Sequence, residues 1–361
     1  MTEQQPDATP SSPVPAADEL FAPLLDAMPP GNNRRHAQQL LRAAVDLVQS
    51  KPDTLDLKIA ASALQEMGDA FEMFAHAKGQ PKVTIFGSAR TTQNDPLYAA
   101  TKEVAYRLAV DGWMVITGAG PGIMQAGMEG AGREHSIGVS IRLPFEQGAN
   151  PIIAGDSKYV SMKYFFTRKL MLIKESLGFV CLPGGFGTLD ETFELLTLTQ
   201  TGKGLPVPIV FLDVPGDPYW ETVDRFVREQ LVERGLVSEA DRSLYLITDD
   251  CEVAVNEITG FYRNYDSMRY VGDALIIRLR HQPTHDQIEQ LNGEFGHLCK
   301  TGRIHATEPY GPEKKDGDQL HLHRIAFVFA KHGYGDLREM IDRCNSFVAP
   351  PTAVPPTEPK E

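Results

Sequence analysis

No stretch of this 361-residue sequence is apolar for long enough to cross a bilayer. The N-terminal MTEQQPDATPSSPVPAADEL has neither the basic region nor the apolar core of a secretory signal, so the expectation is a cytoplasmic protein without a membrane partner. Cysteine is scarce. Cys181, Cys251, Cys299 and Cys344 are widely separated and form no C-x-x-C pair, which argues against a zinc knuckle or a disulfide framework and for reduced thiols. Positive charge is in deficit, with 35 Lys and Arg against 48 Asp and Glu and a net charge of −13. That balance opposes a nucleic-acid partner, which needs clustered basic residues. It leaves room for a small anion, because local amides and one or two arginines can hold one inside an acidic protein. His321 with His323, expected on one strand, and His281 with His285 are spaced as pairs but lack a Cys/Asp quartet, and no metal site is expected.

What is present is a strongly patterned chain. Residues 1–35 read as a disordered leader rich in Pro, Ser, Gln and Asp, and the Pro-rich 349–361 as a disordered tail. Within 36–80, AQQLLRAAVDLVQS sets Leu41, Ala44, Val45 and Val48 on one helical face. The next segment repeats Leu57, Ala60, Leu64, Met67, Phe71 and Phe74 at spacings of three and four, a stripe suited to packing on another helix or subunit. From Lys82 the pattern changes to short apolar runs, KVTIF, WMVIT, SIGVSI, GFVCL, PIVFL and LYLIT, alternating with segments of helical period. Residues 81–264 are therefore expected to form an α/β, Rossmann-like doubly wound parallel sheet. Residues 265–348 read as a small α+β module, with strands DALIIRLR, GRIHATEP and LHLHRIAFVFA and helices THDQIEQLNGEFGHL and GDLREMIDRCNSF.

In doubly wound sheets ligands bind where the strands end, and three strand ends here carry unusual turns. In VTIFGSAR, Ser88 can offer hydroxyl and amide to an oxyanion. In VITGAGPGIMQAG, Gly118, Gly120 and Gly122 lie between a strand and a helix expected to start near Pro121. The third of these glycines falls one residue early for the G-x-G-x-x-G dinucleotide pattern, so an NAD site is disfavoured. In CLPGGFGTLDETFE, Gly184, Gly185 and Gly187 lead into a helix expected to begin just after Thr188. Thr188 and Glu191 are spaced as a capping box, which explains that pair but not three glycines. Gly184, Gly185, Gly187 and a helix N-terminus together suit a phosphate. A carboxylate so close to a phosphate calls for a nearby cation, and SMKYFFTRKLMLIKES supplies Lys163, Arg168, Lys169 and Lys174. Arg168 is set among apolar neighbours that can turn it inward.

FFTRK followed by PGGFGTLDE resembles the R-K and P-G-G-x-G-T-x-x-E motifs of the LONELY GUY (LOG) family of phosphoribohydrolases, and the resemblance covers Lys82 to about Arg263. It implies hydrolysis of the N-glycosidic bond of a purine or cytokinin nucleoside 5′-monophosphate to free base and ribose 5-phosphate, without a cofactor. By position it makes Arg168 and Glu191 the catalytic pair and Gly184, Gly185, Gly187 and Thr188 the phosphate cradle. Lys169 joins the binding residues with Ser88, and the Gly118–Met124 turn contacts the nucleotide. The sequence departs from short plant-type members in GAGPGIMQA and in Phe165-Phe166 before the arginine, changes that flank the base. The resemblance also implies a homodimer or larger homo-oligomer.

The chemistry fits those residues. Ribosyl cleavage passes through an oxocarbenium-like state that a carboxylate such as Glu191 can stabilise, or for which it can activate water. Arg168 can keep Glu191 ionised and oriented, or bind ribose or phosphate oxygens. Competing readings are a non-catalytic nucleotide sensor on the same fold, a DNA-handling protein opposed by the charge, and a pyridoxal-phosphate lysine decarboxylase. The last needs a Schiff-base lysine, and Lys163 is the one candidate near the motifs.

Overall fold

The structure, a computed structural model, describes residues 17–29, 31–143 and 148–349; residues 1–16 of the expected leader and 350–361 of the expected tail lie outside them. The chain forms two compact units, one up to Gln65 and one from Glu66 onward.

The first unit holds helices α1 (Ala17–Asp26) and α2 (Asn32–Gln49) and the start of α3 (Thr54–Ala75). Helix α1 thus lies inside the stretch read as a leader, and Arg34 pairs with Asp26 at 2.5 Å. The α3 stripe is only partly inward. Leu57, Leu64 and Phe71 are exposed, whereas Glu66, Ala70, Met73 and Phe74 are buried, so the buried face of α3 lies to one side of that stripe.

The second unit contains a seven-stranded, all-parallel sheet of β1 (Lys82–Phe86), β2 (Met114–Thr117), β3 (Ser136–Ile141), β4 (Tyr159–Met162), β5 (Gly178–Cys181), β6 (Ile209–Leu212) and β7 (Leu246–Thr248), in the order β4-β3-β2-β1-β5-β6-β7. Strand residues alternate between two cores, as a period of two requires. Phe86, Ile116, Phe179, Cys181 and Phe211 join Ala70, Met73, Met171, Leu195 and Trp220 on one face. Those partners come from α3, α6 (Phe165–Lys174), α7 (Phe186–Gln200) and α8 (Tyr219–Phe226). Val83, Ile85, Val115, Val180 and Val210 face Val104, Leu108, Ile123, Ala254 and Ile258, from α4 (Pro96–Val110), α5 (Ile123–Ala131) and α9 (Cys251–Gly260).

Strands β8 (Tyr265–Val271), β9 (Ala274–Leu279), β10 (Cys299–Ala306) and β11 (His323–Phe329) make an antiparallel sheet in the order β10-β11-β9-β8. Its apolar face packs on α10 (His285–Phe295) and α12 (Tyr334–Ser346) through Leu291, Phe295, Leu337, Met340 and Ile341. On the other face Arg278 and Arg324 meet Glu313 of α11 (Gly311–Asp316) at 2.7 and 3.2 Å. Three details differ from expectation: β8 is a strand where none was expected, YGPEKKDGDQ includes α11, and His321 precedes the strand that His323 begins. This sheet belongs to the same compact unit as the parallel one. Asn345 Oδ1 accepts the Asn264 and Tyr265 amides at 2.9 and 2.8 Å, and Arg338 stacks over Phe261.

Candidate active site

The strand order reverses direction between β1 and β5, so the turns after β2, β1 and β5 stand side by side at one end of the sheet. These are the three glycine-bearing turns. Ser88 follows β1; its carbonyl accepts the Ile123 amide of α5 at 3.0 Å, and its hydroxyl accepts the Arg90 amide at 3.1 Å. After β2, Ala119 takes a left-handed φ of 58°, its amide held by the Thr117 hydroxyl at 3.1 Å. Helix α5 starts at Ile123, two residues later than expected, because Gly122 has φ 66° and cannot be helical. Gly118 is needed for space. A Cβ there would stand 2.5 Å from Nη2 of Arg168 and 2.6 Å from the sulfur of Met124. Asn150, from the segment after β3, braces this turn by donating to the Gly120 carbonyl at 3.1 Å.

After β5 the structure corrects the expected helix start. Helix α7 begins at Phe186 with Gly185 as its cap, and no side chain caps it. Thr188 is therefore inside the first turn, and the capping-box reading of Thr188 with Glu191 is wrong. Its side chain is buried against Gly184, where a Cβ would meet Oγ1 at 2.2 Å. At Gly185 and Gly187 a Cβ would meet nothing within 4 Å. Tyr219 of α8 pins this turn, its hydroxyl donating to the Gly184 carbonyl at 2.7 Å. Neither α5 nor α7 has an acidic residue in its first turn, so the positive ends of both helices are left uncompensated by their own carboxylates.

Arg168 and Glu191 meet beside these turns. Nη1 of Arg168 donates to Oε1 of Glu191 at 2.9 Å, Nε donates to the Val139 carbonyl at 3.0 Å, and the two side chains are 10% and 12% exposed. Oε2 of Glu191 accepts no hydrogen bond from the described residues. Burial raises the Glu191 pKa above the usual carboxylate range, opposed by the charge of Arg168 and assisted by that of Asp190. Lys169 turns away from this pair, to Asp190 at 3.2 Å and Glu194 at 2.5 Å. Lys163 lays its ammonium over the Tyr164 ring. Among the described residues no three His, Cys, Asp or Glu side chains are grouped to hold a metal ion.

Residues 122–258 match the family described as "Possible lysine decarboxylase". That match contains Arg168, Glu191 and the whole β5–α7 turn. That part of the parallel-sheet domain is similar to members of this family, among which are LOG proteins. Among LOG relatives, the probable cytokinin riboside 5′-monophosphate phosphoribohydrolase LOGL3 of Oryza sativa subsp. japonica is 28% identical over 214 residues, 58% of this chain and 87% of the rice protein. The pyrimidine/purine nucleotide 5′-monophosphate nucleosidase of Escherichia coli (strain K12) is 24% identical over 287 residues, 67% of this chain and 61% of the bacterial protein. Among solved structures, a molybdenum cofactor carrier protein from Chlamydomonas reinhardtii aligns with a TM-score of 0.36 and 19% identity over 50% of this chain and 96% of its own.

Four groups at this site escaped the sequence reading. Glu66 reaches the start of α6 from a different part of the chain, Tyr219 and Asn150 support the glycine turns, and the Val139 carbonyl anchors Arg168. None has a local motif; only the DPYW turn before α8 hints that a tyrosine is placed by a tight loop.

Proposed function

We propose that this protein hydrolyses the N-glycosidic bond of nucleoside 5′-monophosphates, AMP-like or cytokinin, to free base and ribose 5-phosphate. The observation that carries the reading is the buried Arg168–Glu191 pair beside an α7 N-terminus that no side chain caps. The 5′-phosphate takes the Gly184–Thr188 turn, where first-turn amides and the positive helix end favour an anion. Open space at Gly185 and Gly187 supports close approach there. Ser88, the Gly118–Met124 turn and Lys169 complete the proposed binding set, with Lys169 acting through Asp190 and Glu194. As the C–N bond breaks, positive charge grows on the ribose, and ionised Glu191 stabilises that cation or takes a proton from water attacking it. Arg168, fixed at Nε by Val139, keeps Glu191 ionised against the effect of burial and holds its orientation.

The names of the rice and bacterial relatives support this reading. A decarboxylase with pyridoxal phosphate fits less well, because Lys163 is turned onto Tyr164 and Lys169 is paired with two carboxylates. A pure sensor would have no use for a buried carboxylate held by an arginine. The reading includes a homo-oligomer, supported by Phe165, Phe166, Leu170 and Phe186 lying exposed on α6 and α7, Phe186 at 94%. A one-chain mass by light scattering refutes that part. Cytoplasmic residence belongs to the same reading and is supported by four free cysteines; no described helix is long and apolar enough to cross a membrane.

The deciding experiment compares AMP with adenosine by chromatographic release of adenine. Charge-assisted hydrogen bonds contribute about 1.5 to 3 kcal/mol each, so losing two or three lowers kcat/KM for adenosine roughly 10²- to 10⁶-fold. Equal turnover of the two refutes the phosphate site.

A further inference from the structure

Helix α6 delivers Arg168 to the site, yet nothing on α6 caps its start: Tyr164 is its cap residue, without a capping side chain, and the first turn has no acid. The missing carboxylate comes from α3. Glu66, 5% exposed, accepts the Lys163 amide on Oε1 at 2.6 Å and the Tyr164 amide on Oε2 at 3.4 Å, with the Thr167 hydroxyl 2.8 Å from Oε2. Its partners lead directly into Arg168. The Tyr164 carbonyl accepts the Arg168 amide at 3.2 Å, and Thr167 is the preceding residue, fully buried. A negative charge at this helix end is also favoured by the helix dipole.

We propose that Glu66 is a positioning residue for the cleavage: it fixes the entry of α6 and thereby the guanidinium of Arg168 against Glu191. The proposal rests on the reaction assigned above. Glu66 lies outside the residues 122–258 that match the family, so the segment preceding the matched region contributes to its alignment. A buried carboxylate with three donors is costly to lose, because the donors are left unpaired. The consequence reaches Arg168 first, since a shift of about 1 Å at a reacting group costs on the order of 10² in rate.

The test is steady-state hydrolysis of AMP by the full chain. In Glu66→Ala, kcat falls about 10- to 100-fold with KM changed less than about threefold, because the phosphate turn is untouched. Glu66→Gln, which still accepts the Lys163 amide, falls between that variant and wild type. Unchanged kcat, or a loss confined to KM, overturns the proposal. If Glu66→Ala does not fold, Thr167→Val decides, since it keeps both backbone bonds to Glu66: a several-fold loss of kcat supports positioning and unchanged kcat overturns it. If the wild-type protein releases no base, the reaction assignment fails, and the Nε–H proton resonance of Arg168, assigned by its absence in Arg168→Lys, still tests the positioning. That resonance shifts or broadens in Glu66→Gln if Glu66 orders Arg168, and an unchanged resonance overturns the proposal.

Discussion

Replacing Gly118 by alanine adds one methyl group and tests the site without touching its charged residues. Gly118 does not have a positive φ, so alanine brings no backbone strain. The new Cβ would sit 2.5 Å from Nη2 of Arg168, and ordinary contact needs about 3.5 Å, so something must retreat by about 1 Å. Arg168 cannot yield cheaply, being tied at Nε to Val139 at 3.0 Å and at Nη1 to Glu191 at 2.9 Å. The sulfur of Met124, 2.6 Å from the same point, closes the other direction, although its flexible side chain gives way more easily. A retreat of that size breaks the bond to Glu191, a charge-assisted contact contributing about 1.5 to 3 kcal/mol, or roughly 10- to 150-fold in kcat/KM. The assay is adenine release from AMP, with circular dichroism melting to check the fold. Gly293→Ala is the matched control, because a Cβ there meets nothing within 4 Å. Gly118→Ala retaining kcat/KM within about threefold of wild type, while folded, refutes the placement of Arg168.

Glu191→Gln lowers turnover on the order of 10² to 10⁴ while melting stays near wild type, since Glu191 is not part of a cap. In the wild-type protein the raised Glu191 pKa makes activity fall, as pH drops, at a higher pH than for an ordinary carboxylate; an acid limb at or below that range contradicts the assignment. Asp213, at the end of β6 and 3% exposed, accepts the Trp220 amide on Oδ2 while its Oδ1 is buried without a partner. Desolvation pushes its pKa up to about 6, with Asp217, Glu221 and Asp249 adding to the rise and the Trp220 amide opposing it. A carboxyl with a raised folded-state pKa stabilises the fold most below its unfolded value and loses that contribution as pH rises through about 6. Asp213→Asn is therefore stabilising by up to about 3 kcal/mol at pH 8 and nearly neutral at pH 4 in urea unfolding, and an equal effect at both would contradict it.

The six apolar runs read as strands are all strands, because a parallel sheet covered on both faces requires nearly continuous apolar sequence. Strand β4, YVSM, escaped because it is only four residues long, half of them only partly buried, with the polar Ser161 among them. Strand β8, YDSMRYV, escaped for a related reason, lying at the edge of its sheet with half-buried positions along its length and Tyr270 exposed. Arg168 and Glu191 were singled out in the sequence through the motifs of the family resemblance, and the structure brings the two side chains to 2.9 Å. The start of α7 was misplaced because T-x-x-E has a local meaning that competes with the glycine cap before it. Glu66 could not be found from sequence: it is 102 positions from Arg168, by subtraction of their numbers, and looks like any helix carboxylate.

The central position of β1 also governs how the chain emerges during synthesis. β1 pairs with β2 on one side and with β5 on the other, and all five of its residues are buried in the finished sheet. On the ribosome it is at first an outer strand, because β5 follows about 90 residues later, roughly 5 to 20 seconds at ordinary elongation rates. During that interval an apolar strand presents unpaired amides and carbonyls, the arrangement most prone to pair with another chain. Substitutions that delay β5 should therefore lower the yield of soluble protein before they lower the activity of each folded molecule.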